Sequence, residues 1–299
     1  MRVLIEKLHI KDSYTIDELK NLEGTFEKVS AVVVKVRPDK LLELDLGNDI
    51  KGVMSLEDFE DSSNLSLTSV VSKIGKIIYC VVDSVDIDKN EVVLNRRKLQ
   101  IYYKKNVLDK LQVGTILETQ VLSVASFGVF VDLGVGIIGM LPLADISITR
   151  IVNPKDIFKV GDSITVVYKG LVEKGYLVTH KELLGTWKEN LQEYNVGDYF
   201  QGVIREIKPY GLFIEITPNL SGLADYPEDV DVHLGDTVCV YLKSINEEKL
   251  KVKLQIISVS STPYKVKYKY LITEEVIKEW VYTPSNCIKE IKTVFEVKL

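Results

Sequence analysis

The chain has 299 residues, 27% of them charged, with a net charge of -5. That length holds two or three domains, each large enough for a modest core. The acidic balance excludes a strongly basic nucleic-acid clamp but not a nucleic-acid binder, because affinity depends on where the positive charge sits.

No apolar run approaches the ~20 residues of a membrane-spanning helix, so no membrane association is expected. The opening M-R-V-L-I-E-K-L carries charge too early for a signal peptide. Cys80, Cys239 and Cys287 lack metal-like spacing, and Cys80 and Cys239 lie in apolar strand-like runs, where buried thiols are expected. This usage fits a reducing cytoplasm rather than a disulfide framework.

In chain order, residues 1–23 form a short lead segment in which Ser13 and Asp17 are candidate caps of a brief helix. Residues 24–97 read as strands: S-A-V-V-V-K-V, K-L-L-E-L-D-L, K-I-I-Y-C-V-V-D-S-V and E-V-V-L-N, with turns at Gly47-Asn48-Asp49 and Asp88-Lys89-Asn90. The stretch 96–110 holds six basic residues and one acidic, and 98–112 is expected to be a basic helical linker. Strands resume over 113–184. A second helical linker follows at 185–195, where Leu184, Trp187, Leu191 and Tyr194 fall on one helical stripe. A third strand-rich unit spans 196–257. In the extension 258–299, P-Y-K-V-K-Y-K-Y-L alternates like an edge strand, and T-E-E-V-I-K-E-W has the threonine and acids of a helix start.

The second and third units repeat one pattern. V-G-T-I-L-E-T-Q-V-L-S-V-A-S-F-G-V-F-V-D-L begins at Val113, and V-G-D-Y-F-Q-G-V-I-R-E-I-K-P-Y-G-L-F-I-E-I begins at Val196. In each, an aromatic-Gly pair precedes a second aromatic, and another glycine lies eleven positions on: Gly128 to Gly139, and Gly211 to Gly222. The period is too long for a solenoid. About five strands per unit predict closed Greek-key barrels of the oligonucleotide-binding (OB) kind. The expected fold is therefore all-β dominated: three tandem five-stranded barrels joined by short helices, with a small α+β C-terminal addition. In the first unit, Gly52 takes the place of the later glycine. Counting back eleven gives Lys40-Leu41 where the aromatic-Gly pair belongs, and Glu43 in place of the second ring.

Alternate residues on an exposed strand point the same way, and outward rings stack bases of any sequence at about 1–3 kcal/mol each. Phe127 and Phe130 are three apart and share a strand face only if the backbone bends between them, which Gly128 permits. The alternative is that Phe130 and Phe213 fill the barrel cores. Arg205 and Lys208 flank the Tyr210 strand, where they could neutralise backbone phosphate. Lys243, Lys251 and Lys253 in the third unit, and Lys169, Lys174 and Lys181 in the second, are further cations.

These repeats resemble the S1 RNA-binding domain family. The resemblance covers about 24–257, is strong for the second and third units and weak for the first. The segment L-V-T-H-K-E-L-L-G-T-W-K-E-N-L followed by V-G-D is also similar to the inter-repeat segment of shortened bacterial relatives of ribosomal protein S1. The resemblance implies single-stranded RNA binding of low sequence specificity, in translation or RNA handling, on platforms formed by Phe127 with Phe130 and Tyr210 with Phe213. It implies phosphate contacts for Arg205, Lys208, Lys169, Lys181 and Lys253. The family's Gly-Leu-Val-His pattern is replaced by Gly139-Met140-Leu141-Pro142 and Gly222-Leu223-Ala224-Asp225, which lowers the affinity expected. The first unit, without rings, is expected to dock on the ribosome or another protein, or against the second unit.

No Walker loop, dinucleotide fingerprint, H-E-x-x-H or nucleophile elbow is present, and His9, His180 and His233 lie far apart. The chain is therefore expected to be neither an enzyme nor a holder of a metal or cofactor. Two alternatives to RNA binding remain: a protein-interaction module docking to RNA machinery, and single-stranded DNA binding. Steep weakening by salt is expected of RNA binding and not of apolar docking.

Overall fold

The computed structural model describes residues 3–4, 13–62, 66–173, 175–227, 231–264, 266, 268–272 and 274–296, with residues 3–4 described in backbone only. The chain divides into two compact units. An N-terminal unit comprises 5–111 with 132–138, and a C-terminal unit comprises 1–4, 112–131 and 139–299. Among the described residues no helix is long and apolar enough to cross a membrane.

The strand β1 (Val3–Leu4) belongs to the C-terminal unit. In the N-terminal unit, α1 (Ile16–Leu22) starts from Thr15, whose side chain and Glu18 form a reciprocal capping box. Neither Ser13 nor Asp17, the caps expected from sequence, begins the helix. Asp17 lies in its first turn, where an acid favours the dipole. The barrel follows as β2 (Val29–Val36), β3 (Leu41–Asp45), β4 (Lys51–Ser55), α2 (Leu67–Val71), β5 (Ile77–Asp86) and β6 (Glu91–Asn95). It closes in the order β2-β3-β4-β6-β5, with β4 and β6 parallel. Alternating residues put Val29, Ala31, Val33, Leu42, Leu44, Val92 and Leu94 inside. Cys80 is also buried there, and burial pushes its thiol up to about 12.

The expected basic linker is α3 (Arg96–Asn106). Its first basic residue is not at the surface: Arg96 is buried, lies over the Phe59 ring at 4.9 Å, and donates to the Phe59 and Gly136 carbonyls. Within this unit, Gln100 of α3 donates to the Val135 carbonyl in the segment 132–138.

The C-terminal unit holds two barrels. The first contains β7 (Ile116–Ala125), β8 (Gly128–Asp132), β9 (Ile138–Pro142), β10 (Ser163–Val172) and β11 (Gly175–Thr179), with β1 added in parallel along β7. After α4 (Trp187–Leu191), the second comprises β12 (Tyr199–Lys208), β13 (Gly211–Thr217), β14 (Leu220–Ala224), β15 (Thr237–Asn246) and β16 (Lys251–Val259). Both repeat the strand order of the N-terminal barrel, with a parallel pair between third and fifth strands. Equivalent bulges at Val33/Lys35 and Ile204/Glu206 give the first strands the extra bend that closure needs.

The helical stripe expected across 184–194 is not one helix: Leu184 and Trp187 are buried, and Leu191 and Tyr194 are half-buried. Gly185, in the left-handed region at φ 81°, separates a 3-10 turn (Lys181–Leu184) from α4, which is capped afresh by Thr186 and Glu189. Trp187 packs into one continuous core with Ile116 and Val167 of one barrel, Ile214 and Leu254 of the next, and Trp280, Tyr282 and Phe295 of the extension.

The extension differs from its sequence reading in two places. The described residues between Thr262 and Leu271 form no strand. Thr273 lies outside the described residues, and Glu274–Lys278 forms a β-bridge, Thr115 with Val276, instead of a helix. The regular structure here is a hairpin of β17 (Glu279–Val281) and β18 (Lys292–Val294). The Tyr270 hydroxyl accepts from the Thr165 N–H at 3.1 Å, and its ring faces His180.

Asn219, in the β13–β14 turn and fully buried, joins these parts. Its Oδ1 accepts from the Ile148 N–H at 3.0 Å and the Ser147 hydroxyl at 3.2 Å. Its Nδ2 donates to the carbonyls of Lys181 at 2.8 Å and Gly185 at 3.0 Å, and its own carbonyl accepts from the Tyr282 hydroxyl. The long connection between β9 and β10 in the second barrel is thus docked on the third. Asn219→Ala removes four side-chain bonds from buried groups and is expected to cost about 3–5 kcal/mol. Urea denaturation of the full chain checks this through a lower midpoint at unchanged slope.

His180 is fully buried, with Nδ1 2.9 Å from the Ile146 carbonyl and Nε2 3.3 Å from the Tyr270 hydroxyl. Burial lowers its pKa from 6.5 to about 4. Between these values the unfolded chain binds more protons than the folded one. Its contribution to stability is therefore complete above 6.5 and declines as pH falls toward 4, by up to about 3 kcal/mol. Stepwise urea titrations from pH 7 to 4 should show a smaller loss for His180→Gln than for the wild type.

Candidate nucleic-acid interface

Along β8, Val129 and Val131 are buried and Phe130 is half-buried between them. Along β13, Leu212, Ile214 and Ile216 are buried, and Phe213 alternates with them. Phe130 and Phe213 therefore stand on the outer faces of their barrels, not in the cores. Phe127 and Tyr210 occupy the turns that precede these strands and are 56% and 65% exposed. The spacing of three needs no bent strand, because the first ring of each pair is in the turn and not on the strand.

Each turn ring meets its strand ring edge to face. The centroids of Phe127 and Phe130 are 5.9 Å apart at 85°, and those of Tyr210 and Phe213 are 6.2 Å apart at 85°. Such T-shaped pairs are favourable, and they leave the exposed ring with a free face. The intervening glycine is needed for the neighbouring strand. A Cβ on Gly128 would lie 2.4 Å from the Leu141 carbonyl oxygen, and one on Gly211, at φ 145°, would lie 2.6 Å from that of Ala224.

The cations are less available than the sequence suggests. Arg205 is the residue skipped by the β12 bulge, and its Nε donates to Glu215 at 2.6 Å, with Glu215 buried. Burial raises the Glu215 carboxyl above its usual range, and Arg205 only partly opposes this. Lys169 and Lys181 share Asp145 at 2.8 and 2.6 Å. Burial acts against ionisation of Asp145, but these two hydrogen bonds prevail and hold its carboxyl below the usual range. Lys253 lies 3.5 Å from Asp225, the residue that replaces the family histidine. Lys243 and Lys251 are exposed, and Lys174 lies outside the described residues.

Lys208 pairs with Glu206 at 2.7 Å, and Glu206 stands directly across from Phe213 in the β12–β13 ladder. Arg150, from the long connection of the preceding barrel, binds the same carboxylate at 2.6 Å while remaining 64% exposed. A residue of one barrel thus contributes charge beside the ring platform of the next. Sequence reading missed Arg150 and Glu206, since nothing local ties them together. It also missed Tyr226, an exposed ring just after Asp225 whose hydroxyl donates to the Lys208 carbonyl at 3.1 Å. Its aromatic character beside that family position was a usable signal.

In the N-terminal barrel, Glu43 stands across from Val53 as Phe213 does from Leu223. Around Glu43 gather Lys35 at 3.1 Å, Lys51 at 3.6 Å and Arg37. This barrel carries an ion cluster at the position of the ring.

Residues 110–174 match the S1 RNA binding domain family. The chain is similar to the small ribosomal subunit protein bS1 homolog of Bacillus subtilis, 28% identical over 205 residues, covering 63% of this chain and 53% of that protein. It is similar also to the small ribosomal subunit protein bS1 of Mycolicibacterium smegmatis, 27% identical over 264 residues, covering 81% of this chain and 52% of that one. The chain thus spans about half the length of these curated relatives. Among solved structures, a multidomain protein with nucleic acid binding domains from Streptococcus pneumoniae aligns over 78% of this chain and 73% of its own, at 14% identity and a TM-score of 0.24. The barrel that carries Phe127 and Phe130 is homologous to the S1 RNA binding domain, and its five-stranded OB-type fold is repeated on both sides of it.

Proposed function

We propose that this protein binds single-stranded RNA with little sequence preference, through the outer faces of its second and third barrels, and acts in translation or RNA handling. The supporting observation is the recurrence of one T-shaped ring pair at the same place in both barrels. Exposed rings accept any base, and two platforms within one compact unit raise the effective concentration of the second contact once the first is made. The match of residues 110–174 to the S1 RNA binding domain family supports RNA as the ligand, and the similarity to small ribosomal subunit proteins bS1 supports a place near the small ribosomal subunit.

The electrostatic share is small. Arg150 and Lys208 on Glu206, and Lys169 and Lys181 on Asp145, each leave one net positive charge. Two such charges give a slope of log affinity against log salt of about -1.4 for a single strand. The steep salt dependence expected from the sequence therefore becomes a shallow one, because carboxylates already hold these cations.

Fluorescence anisotropy of a labelled single-stranded RNA should show micromolar or tighter binding with this shallow slope. Tyr210→Ala with Phe213→Ala should weaken it at least tenfold, by the stacking energy of the rings. Equal affinity for DNA of the same sequence would favour the DNA-binding alternative, and no binding by the folded chain would reject the reading.

The cluster around Glu43 favours a different role for the first barrel, that of contact with protein. On this reading Lys35→Glu with Arg37→Glu leaves RNA affinity within about twofold of wild type, since neither stacking nor net phosphate contact is removed. A larger loss in the same anisotropy titration would make the first barrel a third RNA module.

A further inference from the structure

The outer face of β13 continues beyond the Tyr210–Phe213 pair. Glu215 lies two residues from Phe213 on the same face, about 7 Å along the strand, and its cross-strand partner is Val203. Here the C-terminal unit contains a cleft of about 470 Å3, lined among others by Val152, Asp156, Arg205, Leu234, Tyr264 and Tyr268. This volume falls within the range of about 300–1,000 Å3 typical of small-ligand sites.

One wall is the connection between β9 and β10, and it is held from both sides. Arg150 binds Glu206 at 2.6 Å, and buried Phe158 packs edge-on against the His180 ring with centroids 5.5 Å apart. Asn153 caps the 3-10 turn that carries Asp156. The rest of the lining includes β12 with Arg205 and the tyrosines of the C-terminal extension. The apolar surface of Val152, Leu234 and the tyrosine rings suits a flat ring.

The polar groups are few, and each keeps bonding capacity to spare. The Tyr268 hydroxyl is buried and has no hydrogen-bond partner among the described residues, a state that native structures rarely carry without a reason. The Arg205 Nε is bound to Glu215, and no other hydrogen bond to its guanidinium is formed among the described residues. Asp156 is exposed and its carboxylate forms no ion pair among the described residues. Guanine is the base that matches this set. Its O6 and N7 accept from an arginine fork, while its ring N–H and exocyclic amine donate to a carboxylate. Adenine lacks the O6 acceptor, and uracil has no second acceptor beside O4 to meet the other arm of the arginine fork.

We propose that this cleft seats one guanine of the strand bound on the Tyr210–Phe213 platform. The seat rests on the RNA-binding reading above and adds to it one position of base selectivity in an otherwise sequence-tolerant interface. Arg205 then serves the nucleic acid through a base edge instead of a phosphate, while Glu215 holds it in place.

The test uses the full chain and three twelve-nucleotide RNAs: all uridine, and uridine with a single central guanosine or adenosine. Wild type should bind the guanosine oligomer at least fivefold tighter than the other two. Asp156→Asn and Tyr268→Phe should each reduce that preference, and Val152→Trp, which fills the cleft, should abolish it. All three variants should keep the wild-type affinity for the all-uridine oligomer, which also shows that they remain folded. Equal affinity of wild type for the three oligomers would overturn the seat. If Tyr210→Ala with Phe213→Ala still weakened binding in that case, the platform reading would stand without it. If wild type bound none of the oligomers, both would fall.

Discussion

Everything distinctive about the C-terminal unit depends on the saturation of Asn219. A fully buried amide is tolerated only when its donors and acceptors are met, and here the partners of the Asn219 side chain and backbone carbonyl together come from three different stretches of chain. Those stretches are the long connection of the second barrel, the inter-barrel segment around Gly185, and the extension through Tyr282. Around it the core runs without interruption from Ile116 through Trp187 to Leu254 and Phe295. Two barrels that would otherwise swing on a tether are thereby held as one body, and their ring pairs are held in register.

That rigidity gives meaning to the placement of charge. Paired lysines are usually read as a solvated face, yet here each of two carboxylates holds two cations: Asp145 holds Lys169 and Lys181, and Glu206 holds Lys208 and Arg150. Such pairing fixes long side chains at the cost of field strength. An interface built this way takes its affinity from exposed aromatic faces, and its cations serve mainly to orient. An overall charge of -5 is compatible with that arrangement.

The N-terminal barrel shows how far one fold can part from one surface. Its closure, strand order and bulge match those of the third barrel, because inward residues such as Val33, Leu44 and Leu94 keep the same alternation. The outward position occupied by Phe213 in one holds Glu43 in the other, ringed by three cations. The core specifies the barrel and leaves the outer face free to change.

Much of this was legible in the sequence. Period-two alternation of β-branched residues, turn glycines and the repeated aromatic-Gly-x-aromatic unit are local signals, so the three barrels and the four rings could be read from them. Local signals also misled. Thr15 displaced Ser13 and Asp17 because a cap needs its partner three residues on, and Gly185 split a stripe that periodicity alone made continuous. The tyrosines at 268 and 270 alternate like a strand, but they turn in to pack on His180. What only the tertiary structure decided is which distant groups meet: Arg150 with Glu206, Asn219 with Ser147 and Lys181, Arg205 with Glu215. The sequence by itself determined the barrels and their rings, because strand period and turn chemistry act over a few residues. The partners of each charge and the docking of one barrel on the next were decided only by the fold, because Coulomb and hydrogen-bond energies depend on distances that chain order does not contain.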